Sequence, residues 1–288
     1  MSLLSWIFGR LRLSTALRVG RALGWLWYRV VPIRVEVAMA NLAIAFPGLS
    51  TPEKKRIVQA TLSQLTQSAV ELLRLPGVGR EELARWVEHA GWQHYEAAMA
   101  QGRGVILVSG HFGNFDLMAC VEAVQGMPLS VVTRTLAMKG VNRFWMALRQ
   151  QHGLGLLPPR DSILRIHRLL RGGQAVAMAI DQHMPAGKGI VVPFFGRPAS
   201  TTPAPATVSL LTGAPILPVT IHRLPDGRHR VEMEPPLFPS SSLADRHSEV
   251  IRLTVALNQW LEAKVRARPD HWLWVHRRWK VPEQKAAQ

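Results

Sequence analysis

The chain has 288 residues, of which 48% are hydrophobic and 19% are charged. It is therefore long and apolar enough to fold around a sizeable core, and this composition excludes a disordered chain. Its 35 Lys and Arg residues against 19 Asp and Glu residues give a net charge of +16, which favours acidic partners such as nucleic acid, anionic lipid or an acidic protein. The single cysteine, Cys120, excludes an intrachain disulfide and fits a reducing compartment.

Residues 1–48 are predicted to form a helical N-terminal segment in front of one domain that spans residues 49–288. Residues 1–35 contain no acid and combine aromatic residues with six arginines: Arg10, Arg12, Arg18, Arg21, Arg29 and Arg34. Four of these arginines fall within roughly one 100° arc of a helical wheel, which predicts a basic amphipathic helix that lies on a membrane. A solvated helix packed on the domain is the alternative. The uncharged stretches there, such as 22–28, are far below the roughly 20 residues of a spanning helix.

The rest of the chain alternates helices with short apolar strands. Helices are predicted after Thr51–Pro52 and over about 80–101, and a last helix over about 244–266. Between them, strands at 105–109, 129–133, 154–157 and 175–180 alternate with helices, and further strands follow at 190–192, 216–221 and 231–234. This β-α-β-α order predicts an α/β fold with a mixed, largely parallel central sheet flanked by helices.

The stretch VILVSGHFGNFDLMAC, residues 105–120, carries the candidate chemistry. Ligands of open α/β sheets bind outside the carboxyl ends of the strands, and His111 follows the strand 105–109 directly. Gly113 allows close approach of the backbone, and Asn114 is a good N-cap for the next helix. Asp116 would lie in the first turn of that helix and could reach back to fix the His111 tautomer, which predicts a general base.

A covalent nucleophile or a metal site is not indicated by these residues. Ser109 lies in VSGHFG, which lacks the G-x-S-x-G elbow, and is interpreted as a strand-end hydroxyl. His111, His183 and His222 are isolated and lack metal-ligand spacing. The pattern therefore suggests a histidine that activates the hydroxyl of a bound substrate, with a structural strand-end histidine as the alternative.

Several segments together resemble a known family. HFGNFD fits the H-x4-D/E motif of the glycerolipid acyltransferase superfamily, and the longer GRGVILVSGHFGNFDL resembles the lipid A biosynthesis acyltransferases, the late lauroyl and myristoyl transferases. NLAIAFPGLS with EKKRIV, the block from AVAMAIDQHMPAGKGIVV to GAPILPV, and HWLWVHRRWK resemble other signatures of that family. The resemblance covers roughly residues 35–280 in the right order.

The resemblance implies roles for particular residues. His111 would deprotonate the acceptor hydroxyl, and Asp116 would orient it, although many lipid A members carry Glu at that position, which leaves the acceptor more open. Arg134 would bind acceptor phosphate, Asp181 would hold the acceptor or a cation in the site, and Lys188 is a weaker substrate-binding candidate. Backbone N–H groups around Gly113 and Asn114 would stabilise the oxyanion.

The family further implies direct acyl transfer from acyl carrier protein or acyl-CoA to a membrane lipid, at the cytoplasmic face of the inner membrane, with no metal or cofactor. The enzyme would be peripheral or shallowly anchored. The basic stretches KVRARPDHWLWVHRRWK and HRLPDGRHR would suit docking of the donor or of lipid headgroups, with an ordinary basic surface and core tryptophans as the alternative. Three other functions remain open: transfer to another glycolipid or amino lipid, a thioesterase or lipid hydrolase, and a basic nucleic-acid-binding protein.

Overall fold

The computed structural model describes residues 3–160, 162–240 and 245–280. The helices are α1 Leu3–Arg10, α2 Leu13–Arg29, α3 Val35–Ala45, α4 Thr51–Arg74, α5 Arg80–Arg85, α6 Trp92–Met99, α7 Phe115–Val124, α8 Lys139–Gln151, α9 Ile163–Arg171, α10 Ala204–Thr212 and α11 Arg246–Ala267. The strands are β1 Val87–Ala90, β2 Val105–Ser109, β3 Leu129–Val132, β4 Gly155–Leu157, β5 Ala175–Ala179, β6 Ile190–Phe194, β7 Arg197–Thr201, β8 Ile216–Arg223 and β9 His229–Met233. Two 3-10 turns, Leu75–Gly77 and Pro269–His271, complete these elements.

Seven strands form the central sheet in the order β1-β9-β8-β2-β5-β3-β4, and β6 and β7 form a separate antiparallel pair. All neighbours in the central sheet are parallel except β8 and β9. The predicted mixed, largely parallel α/β sheet flanked by helices is therefore confirmed.

The two central strands, β2 and β5, are adjacent and parallel, with Ser109 opposite Ala179. Side chains of β2 alternate between two apolar clusters, because successive residues of a strand point to opposite faces. Helix α7, which follows β2, packs in one cluster. The chain after β5 forms β6, β7 and then α10, and these elements pack in the other cluster. The connections after β2 and β5 thus leave towards opposite faces, which opens a crevice between the carboxyl ends of these strands.

The prediction of one helix over 80–101 is wrong, because this stretch contains α5, β1 and α6. Gly91 interrupts it in a left-handed conformation, and a Cβ there would lie 2.0 Å from the carbonyl oxygen of Met233. Strand β1 has four residues and pairs with β9, which lies more than 140 positions later in the chain. A pattern this short is not recognisable as a strand in the sequence. The last helix agrees with the prediction apart from its start, where Ala244 lies outside the described residues.

The described part of the N-terminal segment contains the helices α1, α2 and α3. The interruption between Arg10 and Leu13 separates α1 from α2, so the predicted wheel of arginines is divided between two helices. Helix α2 packs on α4 through Gly20 and Gly24. A Cβ at Gly24 would lie 2.5 Å from the Cα of Ser63, so only glycine permits this approach. The same helix exposes Leu23, Trp25 and Leu26. Within the three described ranges, no helix combines the length and the apolarity that a membrane crossing requires.

Candidate active site

His111 and Asp181 face each other in the crevice between β2 and β5. His111 lies two residues beyond the end of β2, and Asp181 two residues beyond the end of β5. The Nδ1 of His111 lies 2.7 Å from Asp181 Oδ1, and the His111 backbone N–H donates to Asp181 Oδ2 over 2.8 Å. Trp272 Nε1 also donates to Oδ2, over 2.9 Å. The carboxylate therefore fixes both the ring and the backbone of His111.

Electrostatics favours an ionised Asp181 and a basic His111. Burial opposes both charges, but the attraction and the hydrogen bonds between the two groups are stronger. The pKa of His111 is consequently raised above its usual value, and the pKa of Asp181 lies well below its usual value. Because Nδ1 donates its proton to Asp181, the lone pair of neutral His111 is on Nε2, and this ring is 21% exposed. The arrangement is that of a general base open to a substrate.

Asp116 has different partners from the one that the sequence suggested. Its Oδ1 accepts hydrogen bonds from Trp145 Nε1 over 2.9 Å and from Arg149 Nε and Nη2 over 2.9 and 2.6 Å. Arg149 also donates to Thr133 Oγ1 over 2.6 Å. Arg149 is buried in α8 and requires a counter-charge, which Asp116 provides from α7. The hydrogen-bonding position at His111 Nδ1, which the sequence assigned to Asp116, is occupied by Asp181.

The loop that carries His111 is fixed by Gly113 and Asn114. Gly113 has φ +58°, and a Cβ there would lie 1.9 Å from the carbonyl oxygen of Ile221. Its N–H donates to the carbonyl of His271 over 2.8 Å, so in this structure it is not free for the oxyanion role expected from the sequence. Asn114 is buried and caps α7, as predicted, by accepting from the N–H of Leu117 over 3.2 Å.

Asn114 is also held by a buried polar cluster that the sequence did not reveal. Its Nδ2 donates to Glu71 Oε2 over 2.8 Å, and Glu71 also binds Arg223 and His229. Burial raises the pKa of Glu71, but the charges of His229 and Arg223 outweigh it and lower this pKa to about 2. The residues come from α4, β8 and β9, and no local pattern connects such distant positions.

The two predicted cationic contacts are both exposed. Arg134 follows β3, the strand beside β5, and Lys188 belongs to a turn in which its N–H donates to the carbonyl of Pro185 over 3.1 Å. Both remain predictions as substrate contacts.

Tryptophans of the basic C-terminal stretch belong to the core, as the alternative interpretation had it. Trp272 and Trp274 are fully buried, and Arg278 is buried as well. Arg278 donates to the carbonyl of Ser200 and to Thr201 Oγ1, both over 2.6 Å. These side chains are therefore not available to dock a donor or a headgroup.

Comparison with known proteins places the chain in a family. The sequence model of the bacterial lipid A biosynthesis acyltransferase family matches residues 3–281. The chain is 26% identical over 280 residues to the lipid A biosynthesis lauroyltransferase of Escherichia coli (strain K12), which covers 96% of this chain and 89% of the relative. It is 23% identical over 279 residues to the lipid A biosynthesis palmitoleoyltransferase of the same organism, covering 96% and 88%. It is also 25% identical over 247 residues to the phosphatidylinositol mannoside acyltransferase of Mycobacterium tuberculosis (strain ATCC 25618 / H37Rv), covering 83% and 75%. The chain therefore belongs to the bacterial lipid A biosynthesis acyltransferase family and is an acyltransferase.

Proposed function

We propose that the enzyme transfers a fatty acyl group from a thioester to a hydroxyl of a membrane glycolipid, with a lipid A precursor as the acceptor and acyl carrier protein, rather than acyl-CoA, as the donor. The observation that carries this proposal is the His111–Asp181 pair in the crevice between β2 and β5. The names of the relatives support the lipid A acceptor.

Transfer is direct in this mechanism. His111 Nε2 takes the proton of the acceptor hydroxyl while its oxygen attacks the thioester carbonyl, and Asp181 stabilises the resulting imidazolium. Collapse of the tetrahedral intermediate breaks the carbon–sulfur bond, and the imidazolium protonates the departing thiolate. Ser109 Oγ donates to the Gly110 carbonyl over 3.2 Å, and burial raises the pKa of the Cys120 thiol to about 12. Neither side chain is therefore suited to form an acyl-enzyme.

Membrane association through the N-terminal helices belongs to the same proposal. Helices α1 and α2 expose large apolar side chains among their arginines: Leu3, Leu4, Trp6, Ile7, Leu23, Trp25 and Leu26. This composition suits a segment lying in the interface of the cytoplasmic face of the inner membrane. Arg134, at the carboxyl edge of β3, is proposed to bind a phosphate of the acceptor, with Lys188 as a second cation.

Mass spectrometry of membrane lipids with and without the gene tests the function. We expect a lipid A species lighter by one acyl group when the gene is absent, and restoration by the wild-type gene but not by a His111→Ala variant. A change confined to mannosylated lipids would favour a mannosylated glycolipid as the acceptor instead. This alternative rests on the 25% identity to the mannoside acyltransferase and on Asp in place of Glu at position 116. Fatty acid release from the thioester without acceptor would instead indicate a hydrolase.

A further inference from the structure

Two loops at the carboxyl edge of β3 and β4 expose apolar and basic side chains side by side. The strands are parallel neighbours, and the Thr133 N–H donates to the Leu157 carbonyl over 2.9 Å, so both loops leave the sheet together. Met138 is 70% exposed and Leu164 is 77% exposed. With their neighbours they form the β3–β4 rim, which we define as Met138, Lys139, Arg160, Ile163, Leu164 and Arg165.

We propose that the β3–β4 rim is a second membrane-contact surface, which binds anionic lipid independently of α1 and α2. Its three basic residues are exposed, and they alternate with aliphatic side chains that water solvates poorly. Cations attract anionic headgroups while neighbouring aliphatic groups enter the acyl boundary, so this composition matches a lipid surface. An acidic protein would neutralise the cations without requiring the exposed leucine and methionine.

The position of the rim supports the same occupant. It lies at the edge of the sheet where His111 and Asp181 meet, so lipid contact there brings a membrane-bound acceptor to the base. Helix α1 packs against the 3-10 turn Leu75–Gly77, and this turn also contacts α8, which begins at the rim.

Vesicle co-sedimentation of the full chain, without substrates, tests this surface. Rim variants Leu164→Ser and Arg165→Gln are compared with Leu211→Ser and Arg171→Gln, whose residues lie at the opposite edge of the sheet. Leu211 is a matched control because it is 54% exposed. On vesicles of phosphatidylglycerol and phosphatidylethanolamine, the rim double variant should bind about tenfold more weakly, and the control double variant should bind within about twofold of wild type.

Equal binding of the rim and control variants to these vesicles would overturn the proposal. So would normal vesicle binding combined with a loss of turnover only for a protein-borne thioester, since that result would assign the rim to the donor. Met138→Ser supplies an independent rim variant, and thermal melting checks folding. Because binding is measured without turnover, this proposal and the proposed function can fail separately.

A different contact concerns the reacting nitrogen itself. Gln182 Nε2 lies 3.2 Å from His111 Nε2. Since Nδ1 of His111 carries the proton that faces Asp181, Nε2 accepts and the Gln182 amide donates. The reacting nitrogen therefore accepts a hydrogen bond from a side-chain amide.

We infer that Gln182 is a catalytic residue that donates to the oxyanion, an inference that rests on the proposed function. When the acceptor hydroxyl takes over His111 Nε2, the displaced amide N–H lies beside the carbonyl that is being attacked. The Gly113 N–H already donates to the His271 carbonyl, so another group has to serve as the oxyanion donor. A preformed amide donor stabilises the charge that develops on the carbonyl oxygen.

Steady-state kinetics of Gln182→Met and Gln182→Glu test the inference. Met removes the donor at similar length, and we expect kcat to fall about 10²-fold with KM within about threefold of wild type. The Glu variant should lose activity similarly and also shift the acid limb of its pH profile upwards, because a carboxylate beside Nε2 stabilises the imidazolium. A kcat within about threefold of wild type in Gln182→Met, or a change in KM alone, would overturn it. Absence of transfer in the wild-type enzyme would instead refute the proposed function.

Discussion

Replacing His111 with alanine is expected to lower acyl transfer by about 10²- to 10⁴-fold, because the acceptor hydroxyl then loses the base that removes its proton. The measurement is transfer from an acyl thioester to purified acceptor lipid, with single-turnover kinetics to isolate the chemical step. Binding of both substrates should change little, since Nε2 acts on the hydroxyl only during attack.

The alanine variant also removes one hydrogen-bond partner of a buried carboxylate, so its folding needs a separate check. Asp181 would keep its bonds from Trp272 and from the backbone N–H of residue 111 but lose the bond from the His111 ring. His111→Asn is the companion variant, because its amide N–H can reach the same carboxylate while lacking the basic nitrogen. His247→Ala, an exposed histidine at the start of α11, is the matched control and should be fully active. A folded His111 variant that retained more than about a tenth of wild-type activity would exclude His111 as the base.

Replacing Asp181 with asparagine is expected to lower the plateau rate by about 10²-fold and to move the acid limb of the pH profile to lower pH. Activity requires neutral His111, so the wild-type rate falls as pH decreases through the raised pKa of this ring. Asparagine lacks the charge that raises that pKa, and the limb should therefore shift down by about one to two pH units. The measurement is kcat/KM against pH for both enzymes.

Asp116→Asn is the matched control, because it changes the neighbouring acid without touching the Nδ1 contact. Asp116 forms a buried ion pair with Arg149, so the main expected effect is a loss of about 3 kcal/mol of unfolding free energy. Its acid limb should move less than that of Asp181→Asn, since Asp116 acts on His111 only through its charge. A larger shift in the Asp116 variant would identify Asp116 as the orienting acid that the sequence motif implied.

Local patterns predicted much of the fold. The strands β2, β3, β4 and β5 are short apolar runs between helical segments, so their positions were predicted within one residue at each end. The Asn114 cap depends on a hydrogen bond to a residue three positions away, and such short-range bonds are visible in sequence. Strand β1 was missed because its only strand partner, β9, lies far along the chain.

The sequence by itself determined the α/β class, the family and the placement of His111 at the end of a strand, because each depends on neighbouring residues or on ordered motifs. Only the tertiary structure decided which acid His111 binds. Asp116 is five positions away in the chain but points to Arg149, while Asp181 is 70 positions away and meets His111 because β2 and β5 pair in parallel. Trp272, which binds the same carboxylate, arrives from the C-terminal core for the same reason: packing brings distant segments together.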